Sequence, residues 1–113
     1  MSRTRGVALQ LALARYLARW WAHAESAGSG RNGVDILGTP GVGWECKTAD
    51  KFNPVAFARQ AKRGAGEALP VVVYWPRGTG EAWADAALAI VPLGRMMDVL
   101  VEAGYAPAPK EGN

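Results

Sequence analysis

The fold of this chain is decided by the stretch Val34-Asp35-Ile36-Leu37-Gly38-Thr39-Pro40-Gly41-Val42-Gly43-Trp44-Glu45-Cys46-Lys47. Residues 34–37 and 42–48 are predicted to be two β-strands, because polar and apolar side chains alternate on both sides of a Thr-Pro-Gly turn signal. A three-residue loop, with Gly41 as a left-handed bulge, pairs Asp35 with Glu45. A two-residue turn would instead pair Ile36 with Glu45 and mix apolar with polar side chains. The three-residue loop is therefore the predicted connection.

This register places Asp35, Glu45 and Lys47 on one face of the hairpin, since side chains alternate along a strand. The opposite face carries side chains suited to a core: Val34, Ile36, Trp44 and Cys46. Hard divalent cations bind paired carboxylates, and a lysine beside them can hold a phosphate or a nucleophilic water. The pattern favours a metal-assisted site. The alternative is a solvated strand face with an incidental ion pair, which would contribute little.

The amino-terminal third predicts a helix over residues 3–20. Its apolar face is predicted from residues at helical spacing and their neighbours: Val7, Leu11, Ala14 and Ala18, with Leu13, Leu17 and Trp20 or Trp21 beside them. Residues 21–26 alternate in polarity, which predicts a short first strand. Asn53-Pro54 then reads as an N-cap followed by proline at the first helical position, so a second helix is expected to about residue 63.

The carboxy-terminal part predicts two further strands and a third helix. Residues 69–75 are almost entirely apolar, as in a central buried strand. Residues 82–91 are interpreted as a strand because they lie between a turn and Pro92. The helix that follows is predicted over 92–103, with an inward face made of Leu93, Met96, Met97, Leu100 and Val101.

These elements predict an α/β domain with a mixed β-sheet flanked by helices. A chain of 113 residues has room for one core. Residues 1–105 are therefore predicted to form a single domain. Residues 106–113 are polar and contain prolines, which predicts a flexible C-terminal tail.

Composition bounds the partners and the compartment. The net charge is +3, from nine Arg and four Lys against ten acids, and four of the arginines precede the first acid, Glu25. This excess suits a polyanionic partner, and equally an ordinary basic surface. A single cysteine excludes an internal disulfide and a cysteine-based zinc site. Without a membrane-length apolar run or a signal-peptide pattern, a cytoplasmic protein that does not contact membranes is expected.

An acid on one strand, Glu45-Cys46-Lys47 on the next, then a helix and a buried strand together resemble the PD-(D/E)xK nuclease superfamily. The layout is most similar to archaeal-type Holliday-junction resolvases and their relatives in phages of actinobacteria. Supporting residues are Arg5-Gly6 at the first helix, Gly28-Ser29-Gly30 before Asp35, and Gln60 on the second helix. The resemblance covers about residues 3–100 and implies a restriction-endonuclease-like fold and a single nuclease domain.

The resemblance also implies a metal-dependent endonuclease that cuts branched DNA as a homodimer, in the bacterial host cytoplasm if the chain is phage-encoded. Asp35, Glu45 and the backbone carbonyl of Cys46 would coordinate Mg²⁺ or Mn²⁺. Lys47 would orient the attacking water or stabilise the developing charge, and Gln60 would hold that water or a phosphate. Ser29 would contact the scissile strand. The basic residues expected at DNA are Arg3, Arg5, Arg31, Lys62 and Arg63.

One departure from the family pattern leaves alternatives open. Family members often carry a metal-binding glutamate on the first helix, and this chain has no acid before Glu25. Either Gln10 fills a weaker role or Glu25 reaches in from the first strand, with His23 on its face. The missing glutamate supports one alternative function, a non-catalytic DNA-binding module of the same fold. A repair or restriction-type nuclease that cuts other DNA structures is a second alternative, because branch selectivity depends on the shape of the dimer.

Overall fold

The computed structural model describes residues 2–28, 33–48, 51–76 and 81–110, with the side chains of 2–5 and 81–83 left out. The elements follow the predicted order, with one 3₁₀-helix added. They are α1 (Ser2–Leu17), β1 (Glu25–Ser26), β2 (Ile36–Leu37), β3 (Val42–Lys47), α2 (Pro54–Ala65), β4 (Leu69–Tyr74), a 3₁₀-helix (Glu81–Ala86), β5 (Leu88–Ile90) and α3 (Leu93–Glu102). The predicted tail is described only over 106–110, which carry no helix or strand.

The main sheet is mixed and has β4 at its centre. β3 pairs with β4 in parallel, with Glu45 beside Val72, and β4 pairs with β5 in antiparallel, with Val72 beside Ile90. The parallel pair is possible because α2 is the crossover between β3 and β4. Three successive valines of β4, 71–73, are buried. The α/β class and the central buried strand are thus confirmed.

The two faces of this sheet are covered by different helices. α1 packs Leu9, Leu13 and Leu17 into a core with β4 and Trp75, and Trp44 and Cys46 of β3 lie against that core. α2 packs Phe57 and Ala61 against Val72 on the other face. Because side chains alternate along β3, Gly43, Glu45 and Lys47 face α2. The helix α2, rather than solvent, is therefore the neighbour of the polar residues of β3.

α2 begins and ends as the sequence predicts. The side chain of Asn53 accepts a hydrogen bond from the Ala56 N–H, and Pro54 occupies the first turn. The helix lies unusually close to β3, since a Cβ added at Gly43 would overlap Ala65. A glycine at position 43 is what permits this approach, and the approach fixes α2 over the polar face of β3.

The predicted hairpin register is wrong. Pro40 and Gly41 form a two-residue turn, closed by a 3.1 Å hydrogen bond from the Val42 N–H to the Thr39 carbonyl. Gly38, with φ of 84°, then bends the chain at a point where any side chain would collide with the His23 carbonyl. β2 therefore pairs with β1, with Ile36 beside Ser26, instead of extending a ladder along β3. This bend also prevents the Ile36–Glu45 pairing that a two-residue turn alone would produce.

The apolar face predicted for α1 is also wrong in part. Val7 and Leu11 are 38% and 43% exposed, whereas Leu9, Leu13 and Leu17 are buried. These leucines form an i, i+4, i+8 row that packs into the core, so the buried face is centred on Leu13 rather than on Leu11. The predicted first strand shortens to two residues, because the Ala24 N–H bonds the Trp21 carbonyl in a turn.

The carboxy-terminal predictions fail at two points. Residues 81–86 form a 3₁₀-helix, and only Leu88–Ile90 is a strand; the alanine-rich stretch before Ile90 lacks the β-branched residues that favour strands. The inward face predicted for α3 is only partly covered: Leu93 is 75% exposed and Met97 42% exposed, whereas Met96, Leu100 and Val101 are half-buried. Within the described residues, no helix is long and apolar enough to cross a membrane.

Candidate active site

Glu45 and Lys47 lie together under α2. The Lys47 Nζ is 3.5 Å from Glu45 Oε2, and the two side chains are 24% and 6% exposed. The same ammonium group lies 5.6 Å from the centre of the Phe57 ring, within cation–π distance. Glu45 is therefore a buried acid rather than part of a solvated strand face, and Lys47 is held between it and an aromatic ring.

Asp35 meets the free edge of β3. Its N–H donates to the Trp44 carbonyl over 2.9 Å, and its Oδ2 accepts from the Cys46 N–H over 2.8 Å. The carboxylate thus lies against the backbone between Glu45 and Lys47. Asp35 reaches the other two residues by this side-chain bond, not by the strand pairing that the sequence predicted.

The backbone of β3 points two carbonyls, those of Trp44 and Cys46, toward the edge where Asp35 lies. Neighbouring residues of a strand turn their N–H and C=O groups to opposite edges. The Lys47 carbonyl accepts from the Trp75 N–H of the β4 segment, whereas the Trp44 carbonyl and the Cys46 N–H bond Asp35. The carbonyl of Cys46 therefore faces the Asp35 edge, and its role as a metal ligand stays a prediction.

Burial and mutual repulsion perturb the carboxylates. Burial raises the pKa of Glu45 from 4.5 to about 7, the negative charge of Asp35 adds to this increase, and Lys47 and Arg63 oppose it. Burial also raises the pKa of Asp35, against the hydrogen bond from Cys46 and the charge of Lys47. Two acids that repel one another, with one lysine in contact, form a single electrostatic cluster.

The oxygen donors suit a hard divalent cation. Mg²⁺ is often bound by one or two carboxylates and completes its shell with water, and Asp35, Glu45 and the Cys46 carbonyl provide that kind of set. The Cys46 side chain lies on the α1 face, and burial raises the pKa of its thiol to about 12. Because the sulfur lies on the face opposite Glu45 and Lys47, any contribution of Cys46 to the site comes from its backbone.

Gln10 contacts the backbone beside Asp35 through its amide nitrogen. It is buried, and its Nε2 donates to the Asp35 carbonyl over 2.8 Å and to the Gly28 carbonyl over 3.4 Å. A glutamate could not make these bonds, because an ionised carboxylate has no hydrogen to donate. Glu25 is exposed, and within the described residues no third acidic side chain joins Asp35 and Glu45 in a metal-binding group.

The remaining predicted residues are only partly placed. Gln60 and Lys62 are exposed on α2, and Arg63 is exposed but close enough to lower the pKa of Glu45. Gly64 lies against the backbone of Gly33, so this end of α2 sits next to the segment that leads into Asp35. The roles of Gln60, Lys62 and Arg63 stay predictions. The described part of the structure does not include Ser29, Arg31 or the side chains of Arg3 and Arg5.

Sequence reasoning missed the aromatic residues around Lys47. Phe52, Phe57 and Tyr74 form a ring cluster, and Tyr74 lies beside Lys47 in the parallel register. That neighbour follows from the pairing of β3 with β4 across a helix, which no local pattern reveals. The aromatic residues at positions 52 and 57, close after Lys47, were the available signal.

Comparison with known proteins identifies no relative: no family model matches the chain, and no curated protein or solved structure is significantly similar to it. The chemistry of the site therefore rests on the residues described above.

Proposed function

We propose that this chain is a metal-dependent DNA endonuclease of restriction-endonuclease-like fold, and that it acts as a Holliday-junction resolvase. The observation that supports this proposal best is the burial of Glu45 beside Asp35 with Lys47 as the contacting cation. Burying like-charged acids is unfavourable, and such perturbed groups cluster at functional sites. A divalent cation shared by both carboxylates would remove that repulsion.

The proposed chemistry divides between the cation and the chain. A bound Mg²⁺ or Mn²⁺ would supply Lewis-acid polarisation and a water of lowered pKa. Asp35, Glu45 and the Cys46 carbonyl would hold it at the edge of β3. Lys47 would donate hydrogen bonds to the attacking water or to the phosphate, with its position set by Glu45 and Phe57. Hydrolysis by in-line attack needs no covalent intermediate.

Charge supports DNA as the substrate. The chain carries a net charge of +3, and Lys62 and Arg63 are exposed on the helix that covers the site. Such residues neutralise backbone phosphates without reading sequence, so discrimination would come from the shape of the DNA. Symmetric cuts in a four-way junction need two sites related by a two-fold axis, so the active form would be a homodimer. The proposed compartment is the cytoplasm, where that DNA would be met.

A cleavage assay tests the proposal. Four-way, flap and linear duplex DNAs of equal length, each with one labelled strand, are incubated with and without Mg²⁺. We expect Mg²⁺-dependent cutting that is fastest on the four-way junction. Asp35→Asn and Glu45→Gln should lose most activity, and Glu67→Gln, at an exposed acid, should retain it. Equal cutting by the parent and all three variants would show that Asp35 and Glu45 are not catalytic residues.

A non-catalytic DNA-binding module is the second candidate. It is favoured by Gln10, which donates to backbone carbonyls where the family often carries an acid. This candidate predicts salt-sensitive binding of branched DNA with no cutting in Mg²⁺ or Mn²⁺. Preferred cutting of flaps or of linear duplex would instead indicate a repair or restriction-type nuclease.

A further inference from the structure

An aromatic cluster lies beside Lys47. The ring centres of Phe52 and Tyr74 are 4.7 Å apart, and that of Phe57 is 6.2 Å from both. Phe57 is the buried base of the cluster at 9% exposure, whereas Phe52 is 52% exposed. The outer ring is thus supported from behind by two others while half of its own surface meets solvent.

This cluster is close to the proposed catalytic groups. The Phe57 ring centre is 5.6 Å from the Lys47 Nζ, which is itself 3.5 Å from Glu45 Oε2, so ring and carboxylate are no more than about 9 Å apart. Phe52 stands one ring further out. Its chain neighbour Lys51 is exposed and adds positive charge. Proteins that bind single-stranded nucleic acids use this arrangement: bases stack on exposed aromatic rings, and nearby cationic side chains contact the phosphates.

We infer that Phe52 is a stacking site for an unstacked nucleobase of the DNA strand whose phosphate lies at Lys47. The inference rests on the proposed function and narrows its substrate class to DNA with an unstacked base face next to the cut. Bases inside a continuous duplex are already stacked and offer no free face to a protein ring. Branch points, gaps and single strands do offer one. The adjacent aromatic and cationic groups favour a nucleobase over an apolar protein segment as the occupant.

The test compares binding to two DNAs without a divalent cation, so that no cutting occurs. One is a duplex with a short gap whose unpaired base is 2-aminopurine, and the other is the matching continuous duplex. Phe52→Leu keeps an apolar cover over Phe57 but removes the flat ring, and Phe52→Trp keeps a ring. Val55→Ala is the matched control, because Val55 is a 59% exposed apolar residue three positions along the chain.

Base–aromatic stacking contributes roughly 1–3 kcal/mol per base, which corresponds to about 5- to 150-fold in affinity. We expect Phe52→Leu to weaken binding of the gapped DNA by about tenfold or more, with loss of 2-aminopurine quenching. Its binding of continuous duplex should stay within about twofold of the parent. Phe52→Trp should retain affinity and quenching, and Val55→Ala should match the parent on both DNAs.

Equal weakening of both DNAs by Phe52→Leu, or no weakening at all, would overturn the inference. So would a Phe52→Trp variant as weak as Phe52→Leu, since the residue would then be only a cover for Phe57. Cutting by the parent in Mg²⁺ together with an unaffected Phe52→Leu would reject stacking and leave the nuclease proposal standing. If Phe52→Leu weakens binding of the gapped DNA alone and the parent cuts no DNA, catalysis is rejected and the stacking site is kept. Absence of DNA binding by the parent would reject both.

Discussion

Replacing Glu45 with glutamine should stabilise the metal-free protein at pH 8 and leave it nearly unchanged at pH 4. Burial and the charge of Asp35 raise the pKa of Glu45 from 4.5 to about 7 in the folded state. Between these values the folded state binds more protons than the unfolded state, so the free energy of unfolding falls as pH rises. Above pH 7, Glu45 is ionised in both the folded and the unfolded state. The free energy of unfolding is then lowered by the whole cost of burying the charged carboxylate.

The magnitude follows from the size of that change. A pKa raised from 4.5 to about 7 corresponds to up to about 3 kcal/mol of stability lost at high pH. The attraction of Lys47 and Arg63 is already included, because the pKa stays above its usual value in spite of them. Glutamine carries no charge, so Glu45→Gln should raise the melting temperature by roughly 10 °C at pH 8.

The assay is thermal and urea unfolding in EDTA, at intervals from pH 4 to pH 8, for the parent, Glu45→Gln and Glu67→Gln. Glu67 is exposed, and its variant should follow the parent curve throughout. Glu45→Gln should remove most of the decline in stability between pH 5 and pH 7, with the smaller contribution of Asp35 remaining. A Glu45→Gln protein that is less stable than the parent at pH 8 would refute the reasoning, because Glu45 would then be stabilised by its ion pair.

Three other predictions concern the packing around the site. Gly43→Ala should destabilise by at least about 1–3 kcal/mol in urea unfolding, because its Cβ would overlap α2, whereas Gly94→Ala, in open space on α3, should be neutral or stabilising. Gln10→Glu should destabilise by about 2 kcal/mol or more, since it loses two donated hydrogen bonds; the same change at exposed Gln60 should stay within about 0.5 kcal/mol. The Cys46 thiol is half-buried and its pKa is raised to about 12, so it should react with Ellman's reagent more slowly in the native protein than in the urea-unfolded chain; equal rates would contradict its placement.

Local sequence signals predicted helices and strands most reliably. The Asn53-Pro54 start of α2 depends on one side chain and a fixed proline φ, and the structure has both where they were predicted. The valine run of β4 is apolar on both faces, which is diagnostic of a central strand, and β4 is that strand. These elements can be predicted because their causes lie within a few residues.

Errors arose where a distant group decided the outcome. The β2–β3 register depended on Gly38, which bends the chain against the carbonyl of His23, fifteen positions earlier. The exposure of Leu93 and Met97 on α3 likewise depends on which elements pack against that helix. Neither outcome is visible in the hydrophobic pattern of the element concerned.

The candidate site was predictable in its residues but not in its surroundings. The alternation of side chains along β3 predicted that Glu45 and Lys47 share one face, and their side chains do lie in contact. The sequence pattern assigns no element to that face, and in the structure α2 covers it because Gly43 lets the helix approach. The perturbed pKa of Glu45 follows from this cover, so it could not be derived from the strand alone.

The most direct test of the central claim is calorimetric titration of the protein with Mn²⁺ at pH 7, in two buffers of different ionisation enthalpy. We predict one site per chain in the parent, with proton release on binding because Glu45 is partly protonated at that pH. Glu45→Gln and Asp35→Asn should lose the site, and Glu67→Gln should keep it. Unchanged Mn²⁺ binding in Glu45→Gln would contradict the claim that these two carboxylates share a cation.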